Sequence, residues 1–475
     1  MKSLWRSLVD SGGEIAGGFC GPERTVNFAE LKAGSMFPMP VEELRGRSLL
    51  IATGEQLATA LALLELDGVA RRMVLCTPDL TGRQLEAVAA AAQADAVVGE
   101  APHPEFSALP RIAPRAKPTA PIDRPHSEGT DSEATEWVLL TSGTTGTPKL
   151  VVHSLRSLCG ALSGGAAGAS RSVWSTFYDI RRYGGLQIYL RAVRSGSLLV
   201  LSSGRESIRD FLARASRAGV THISGTPSHW RRALMSGAAR LISPAYVRLS
   251  GEVADQSILD GLKEAFPGAT IAHAFASTEA GVGFDVTDGL AGFPETFVDR
   301  PGRAADRDRG VEPAPADLKV ADGTLRIRSR GIGARYLGGE ARSLADDEGY
   351  IDTGDLVELV GDRYYFRGRR GGVINVGGYK VYPEEVEAVL NADPRVRMSL
   401  VRGRRNPIMG AVAVADVVLT EGAPESQDPV SAARLKDELL NACRRVLPAY
   451  KVPAVLRLVA KLDVTEAGKL VRPDA

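Results

Sequence analysis

The chain has 475 residues, 44% of them hydrophobic, which is enough for a sizeable core and for two or more domains. Lys plus Arg number 58 against 57 Asp plus Glu, so a net charge of +1 offers no basic surplus of the kind nucleic acid demands. No nucleic-acid partner is expected. The N-terminal stretch MKSLWRSLVDSGGEIAGG has no sustained apolar run and reads as neither a signal peptide nor a spanning helix. The expectation is a cytoplasmic protein without a membrane partner. Cys20, Cys76, Cys159 and Cys443 lie far apart, with no metal-ligand or CxxC spacing, and read as reduced, mostly buried thiols.

In chain order, residues 48–53 read as a buried strand, 56–66 as a helix and Met73–Cys76 as the next strand. A helix over 83–93 and a strand Ala96–Val98 follow. Strands alternating with helices imply a parallel, doubly wound sheet. Residues 101–134, rich in Pro, Asp, Ser and Glu, read as a surface linker. Trp137–Leu140 then forms an apolar strand, and a second αβ pattern covers about 151–290, with strands at Leu198–Leu201 and Thr221–Ile223. From about 315 to 367 the pattern becomes strand-turn-strand, with Thr324–Arg328 and Arg363–Phe366. The tail from about 372 reads as a small α+β unit, in which Tyr382-Pro383-Glu384-Glu385 starts a helix with Pro near the first turn and acids against the dipole.

The strand at 137–140 runs into Thr141-Ser142-Gly143-Thr144-Thr145-Gly146-Thr147-Pro148-Lys149. Glycines let backbone N–H groups approach phosphate oxygens, the threonines add hydroxyl donors, and Lys149 adds a mobile charge. It is not a Walker A loop, because Pro148 precedes the lysine. By composition alone an ordinary polar turn explains it as well.

The run TSGTTGTPK resembles the signature loop of the adenylate-forming superfamily, which holds acyl- and aryl-CoA synthetases, nonribosomal peptide adenylation domains and firefly luciferase. Further matches follow in order, so the resemblance covers nearly the whole chain. It implies a large N-terminal domain over 1–369, made of doubly wound β/α subdomains and a distorted β-barrel-like part. A small mobile α+β domain would follow over 370–475. It also implies residue roles. Ala274-Phe275-Ala276-Ser277-Thr278-Glu279 is similar to the aromatic-Gly-x-Thr-Glu motif: Phe275 and its neighbours would pack on adenine, Thr278 would touch the α-phosphate, and Glu279 would hold Mg2+. Ser250-Gly251-Glu252 resembles the turn lining the adenine and acyl pockets. Asp355, in Asp352-Thr353-Gly354-Asp355, would accept from both ribose hydroxyls, and Arg369 would contact ribose or phosphate. Lys469, in Gly468-Lys469-Leu470-Val471-Arg472, would bridge carboxylate and phosphate in the transition state. Taken alone, each is an ordinary surface or turn residue.

The resemblance further implies a hinge at Arg370-Gly371 and passage of a pantetheine arm past Gly377 and Gly378. The acid pocket is expected around Tyr178, Asp179, Arg181, Tyr183, Gly184 and Ser250. There Asp179, Arg181 and Arg182 replace the usual Pro and His. An arginine in that stretch either meets a polar group of the substrate or pairs with Asp179. The implied cofactors are ATP, Mg2+ and CoA, and the implied partners are a small carboxylic acid and an acyl carrier protein. The expected activity is activation of the acid as an acyl-adenylate with release of pyrophosphate, followed by transfer to a thiol, CoA first. Loading of a carrier protein or a non-thiol nucleophile, and a non-catalytic nucleotide binder, are the alternatives. Glycines at the hinge positions, where an acid or lysine is usual, and the arginines near the pocket are the two departures from the family pattern.

Overall fold

The computed structural model describes all residues except 1, 10–16, 101–107, 116–117, 119–133, 142–147, 163–171, 299–315, 339–342, 377, 407–408, 421–422, 424–427 and 464–475, and only the backbone of Lys32 and Ala33. A first sheet runs in the order Arg335–Leu337, Lys149–His153, Glu136–Thr141, Arg72–Leu75, Ser48–Ile51, Ala96–Val98 and Arg111–Ile112. Its last five strands are parallel and its first two antiparallel. The apolar runs explain the core. Along Ser48–Ile51, Leu49 and Ile51 join one cluster with the helix Gln56–Leu66. Leu50 joins the opposite cluster with Val74, Val138 and the helix Gly82–Ala92. Alternate residues of one buried strand thus feed both faces, as a doubly wound sheet requires. Within the stretch read as a linker, Arg111–Ile112 is a strand paired with Val97 and Val98. This corrects the linker reading for those residues.

A second, eight-stranded sheet runs Gly281–Val286, Thr270–Ser277, Tyr246–Ser250, His222–Gly225, Val173–Thr176, Leu198–Leu201, Gly18–Cys20 and Thr25–Asn27. All but its two edge strands are parallel. One face is apolar: Ile223, Val247, Leu249 and Ile271 pack with Phe211, Leu212, Trp230, Ile258 and Leu262. A five-stranded antiparallel sheet, Phe293–Pro294, Arg363–Arg369, Ile351–Val360, Thr324–Ser329 and Ala316–Ala321, follows and has its own core.

The C-terminal unit is a small α+β domain. Strands Ile374–Val376, Tyr379–Val381, Val396–Asn406, Gly410–Leu419 and Val455–Leu458 form one sheet, and helices Pro383–Asn391 and Pro429–Val446 share its core. Pro383 stands in the first turn of its helix with Glu384 and Glu385 beside it. Among the described residues, no helix is long and apolar enough to cross a membrane.

Candidate active site

In open α/β sheets ligands bind at the carboxyl ends of the strands. Both parallel sheets bring residues singled out from sequence to that edge. Thr141 ends one strand of the first sheet and pairs with Lys149, which opens the next. Ser142, Gly143, Thr144, Thr145 and Gly146, between them, lie outside the described residues. The exposed Lys149 ammonium lies 5.3 Å from the ring centre of Tyr336, on the neighbouring strand Arg335–Leu337. The Tyr336 hydroxyl donates to Glu279 Oε1 at 3.4 Å. Burial, then the Glu279 charge, push the Tyr336 phenol up to about 12, so it stays a proton donor. Lys149, Tyr336 and Glu279 therefore form one line from the loop to the turn at Thr278-Glu279.

That turn follows the strand Thr270–Ser277 and is pinned from several sides. Ser277 Oγ accepts from the Ala280 amide at 2.9 Å, and the Gly333 amide donates to the Glu279 carbonyl at 2.9 Å. His153, at the end of the Lys149 strand, is buried; its Nε2 faces the Thr278 carbonyl at 2.8 Å and its Nδ1 the Ser157 hydroxyl at 3.2 Å. Burial lowers the imidazole to about 4 and keeps it neutral, so its Nε2–H donates to that carbonyl. Gly281, just past the turn, has φ of +79°, and a Cβ there would meet the Gly331 carbonyl oxygen at 2.8 Å. Only glycine fits both constraints.

Phe275 lies within an aromatic stack. Its ring is parallel to Phe366 at 5.2 Å and to Phe284 at 6.0 Å. Ala274 and Ala276 flank it on the strand. Asp355 and Arg369 are direct cross-strand partners, and Arg369 Nε donates to Asp355 Oδ1 at 3.1 Å. The Arg369 side chain is 69% exposed while that of Asp355 is 15% exposed. Arg370 is anchored: its amide donates to the Gly354 carbonyl, and its guanidinium donates to Asp352 and Thr324. A Cβ at Gly371 would meet nothing within 4 Å, and exposed Gly378 has φ of +88°. Lys469 and Gly377 lie outside the described residues.

Around the expected acid pocket, Tyr178 is buried and its hydroxyl bonds the Ser250 carbonyl at 2.8 Å and hydroxyl at 2.9 Å. Gly251 follows with φ of +85°. The Glu252 carboxylate accepts from the Ser228 amide and hydroxyl at 2.9 and 3.0 Å, at the start of the helix Pro227–Met235. Tyr183 is buried at the start of the helix Tyr183–Arg194, its ring 5.9 Å from that of His153. Gly184 lies over the Tyr178 ring, and a Cβ at Gly185 would lie 2.2 Å from the Asp179 carbonyl oxygen.

Of the two readings of Arg181, the structure shows the pairing with Asp179. Arg181 is 3% exposed, donates twice to the Asp179 carboxylate at 2.8 and 2.6 Å, and gives its remaining arm to the Thr53 carbonyl at 2.6 Å. A fork held this way ties the loop to the first sheet. Arg182 pairs with Asp79 at 2.5 Å. Sequence reasoning missed His153 and Tyr336. A histidine at the end of the loop strand was a usable signal; Tyr336 had none, because its short strand comes from far along the chain.

Solved structures share this architecture. The anthranilate CoA ligase AuaEII, in complex with anthranoyl-AMP, matches with a TM-score of 0.77 at 19% identity, over 99% of this chain and 95% of that one. At that identity the likeness establishes the fold. The sequence itself goes further. Residues 50–331 match the AMP-binding enzyme family and residues 385–469 match the AMP-binding enzyme C-terminal domain. The chain belongs to the AMP-binding enzyme family. Among curated relatives, 4-hydroxybutyrate–CoA ligase 1 of Metallosphaera sedula is 28% identical over 70% of this chain, and the chain spans 60% of that ligase's length. The 2-succinylbenzoate–CoA ligase of Listeria innocua is 28% identical over 72% of this chain and 70% of its own length.

Proposed function

We propose that this protein is an ATP- and Mg2+-dependent carboxylate–CoA ligase. A carboxylate oxygen attacks the α-phosphorus of ATP, the bond to the bridging oxygen breaks, and pyrophosphate leaves with the electron pair. The thiol sulfur of CoA, giving up its proton, then attacks the acyl carbon and AMP leaves. The observation that carries the reading is the line from Lys149 through Tyr336 to Glu279 at the carboxyl edge of the two sheets.

A lone carboxylate suits Mg2+, which keeps water and phosphate oxygens as its other ligands. Glu279 would hold it, and the ion would supply charge neutralisation at the phosphates. Lys149 and the loop 141–147 would grip the β- and γ-phosphates, and Thr278 the α-phosphate. Asp355 would accept from the ribose hydroxyls with Arg369 steadying it. Phe275 would offer its exposed edge to adenine beside Ala274, Ala276, Gly251 and Glu252. Lys469 would enter from the small domain. We divide the chain at 369/370, with Gly371 as the first free joint, since Arg370 is anchored to the large domain. Binding remote parts of both substrates is what holds the carboxylate and α-phosphorus together for in-line attack.

The test follows pyrophosphate and the acyl group across a panel of acids. Acid-dependent pyrophosphate release with formation of an acyl-CoA is expected. Release without a CoA thioester, with the acyl group on a carrier protein or an amine, would refute the CoA assignment and leave acid activation standing.

A further inference from the structure

Two consecutive carbonyls of the turn at Thr278-Glu279 are held from the first sheet. His153 Nε2 lies 2.8 Å from the Thr278 carbonyl, and the Gly333 amide donates to the Glu279 carbonyl at 2.9 Å. His153 is the last residue of the strand that Lys149 opens. Gly333 leads into the strand Arg335–Leu337, which pairs with Leu150–Val152, and the Ala334 amide donates to the Val152 carbonyl at 2.8 Å. Both holds are therefore fixed to the strand Lys149–His153. The approach is close: a Cβ at Gly333 would lie 2.6 Å from Val151 Cγ1 and 3.4 Å from His153 Cε1.

The His153 ring has little freedom. It is buried, with the Tyr183 ring 5.9 Å away, and its Nδ1 faces the Ser157 hydroxyl at 3.2 Å. That hydroxyl is itself placed by the capping box of the helix Leu155–Leu158: the Ser154 amide donates to Ser157 Oγ and the Ser157 amide to Ser154 Oγ, both at 3.1 Å. A carbonyl only accepts, so Nε2 carries the hydrogen and Nδ1 accepts from Ser157. The consequence falls on Glu279. A peptide unit is planar, so holding its carbonyl holds its plane. His153 holds the plane before Glu279. Gly333, with Ser277 Oγ on the Ala280 amide at 2.9 Å, holds the plane after it. With both planes set, φ and ψ of Glu279 are set, and its carboxylate leaves the backbone in one direction, toward the Tyr336 hydroxyl.

We infer that His153 is a positioning residue for acid activation: by fixing the peptide plane before Glu279 it aims the Glu279 carboxylate at Mg2+ and keeps it in register with Lys149, on the same strand as the imidazole. The inference rests on Glu279 as the metal ligand, as proposed above. Without the bond to the Thr278 carbonyl the plane tilts, and a carboxylate misplaced by about 1 Å costs up to roughly 100-fold in rate.

The wild type is compared with His153→Gln, His153→Asn and His153→Phe. Glutamine carries an amide N–H to the place of Nε2, asparagine only as far as Nδ1, and phenylalanine keeps a ring with no donor. Three readouts are taken: calorimetric titration of ATP with and without Mg2+ in the absence of acid, acid-dependent pyrophosphate release across a Mg2+ titration, and thermal melts. His153→Asn and His153→Phe should shrink the gain in ATP affinity that Mg2+ brings, and raise the half-saturating Mg2+ for release, each on the order of tenfold. His153→Gln should stay within about threefold of the wild type in both. Glutamine and asparagine are equally polar, so their difference follows the donor's place and not the stability of the fold, and it decides the matter if His153→Phe does not fold. A Mg2+ dependence unchanged in His153→Asn, or lost equally in His153→Gln, overturns the inference while acid activation stands. A Mg2+ dependence that Glu279→Gln leaves unchanged overturns the metal assignment and this inference with it. Absence of release by the wild type with every acid overturns acid activation as well.

Discussion

Asp355→Ala separates a nucleotide ligand from a structural residue. In the free protein Asp355 bonds Arg369, whose side chain is 69% exposed. An exposed ion pair contributes about 0.2–1 kcal/mol, because water and salt screen it. Its loss should lower the melting temperature by no more than about 4 °C. A carboxylate accepting from two ribose hydroxyls makes two charge-assisted bonds of about 1.5–3 kcal/mol each. Their joint loss, about 3–6 kcal/mol, weakens ATP roughly 10²- to 10⁴-fold. Calorimetric titration of ATP into the wild type and variant, with thermal melts of each, reads both quantities. A large loss of affinity with a nearly unchanged melt is expected. An unchanged Kd with a melt lowered by many degrees would refute the ribose assignment and make Asp355 a strand-pairing residue.

Glu279→Gln removes the charged oxygen ligand and should lower acid-dependent pyrophosphate release on the order of 100-fold, while raising the Mg2+ concentration needed for half-maximal rate; an unchanged Mg2+ titration would exclude Glu279 as the ligand. Lys469→Ala should abolish adenylate formation from acid and ATP, checked by the same release assay, and an unimpaired variant would remove that lysine from the transition state. The buried histidines predict acid sensitivity. His153 is lowered by burial to about 4 and His229 to about 3, so between those values and 6.5 the unfolded chain binds more protons and stability falls as pH falls. Asp67, raised by burial to about 6, works in the opposite sense between about 4 and 6, and two histidines outweigh it. Melts from pH 7 to 4.5 should show this loss, and His153→Gln should flatten it; equal slopes would mean that His153 is charged in the fold.

Local signals were legible where periodicity and chain chemistry acted alone. The helix read over 56–66 is Gln56–Leu66, the strand Leu198–Leu201 has the same ends, and Pro383 opens its helix as its type requires. What was hidden depends on distant pairing. Gly18–Cys20 joins the second sheet beside Leu198–Leu201, and three residues carry no periodicity with which to announce it. Arg111–Ile112 was masked by the polar composition around it. For the site, motif spacing pointed to Glu279, Asp355 and Arg369, and the fold brings Asp355 and Arg369 together. At Asp179 and Arg181 the sequence left two readings, a substrate contact or an internal pair, and the structure shows the pair.

Acid-dependent exchange of labelled pyrophosphate into ATP tests acid activation at the carboxyl edge most directly. Exchange that requires a carboxylic acid and Mg2+ but no CoA, and that falls on the order of 100-fold in Glu279→Gln, is the expected result. Exchange absent with every acid, or present at equal rate without acid, would contradict it.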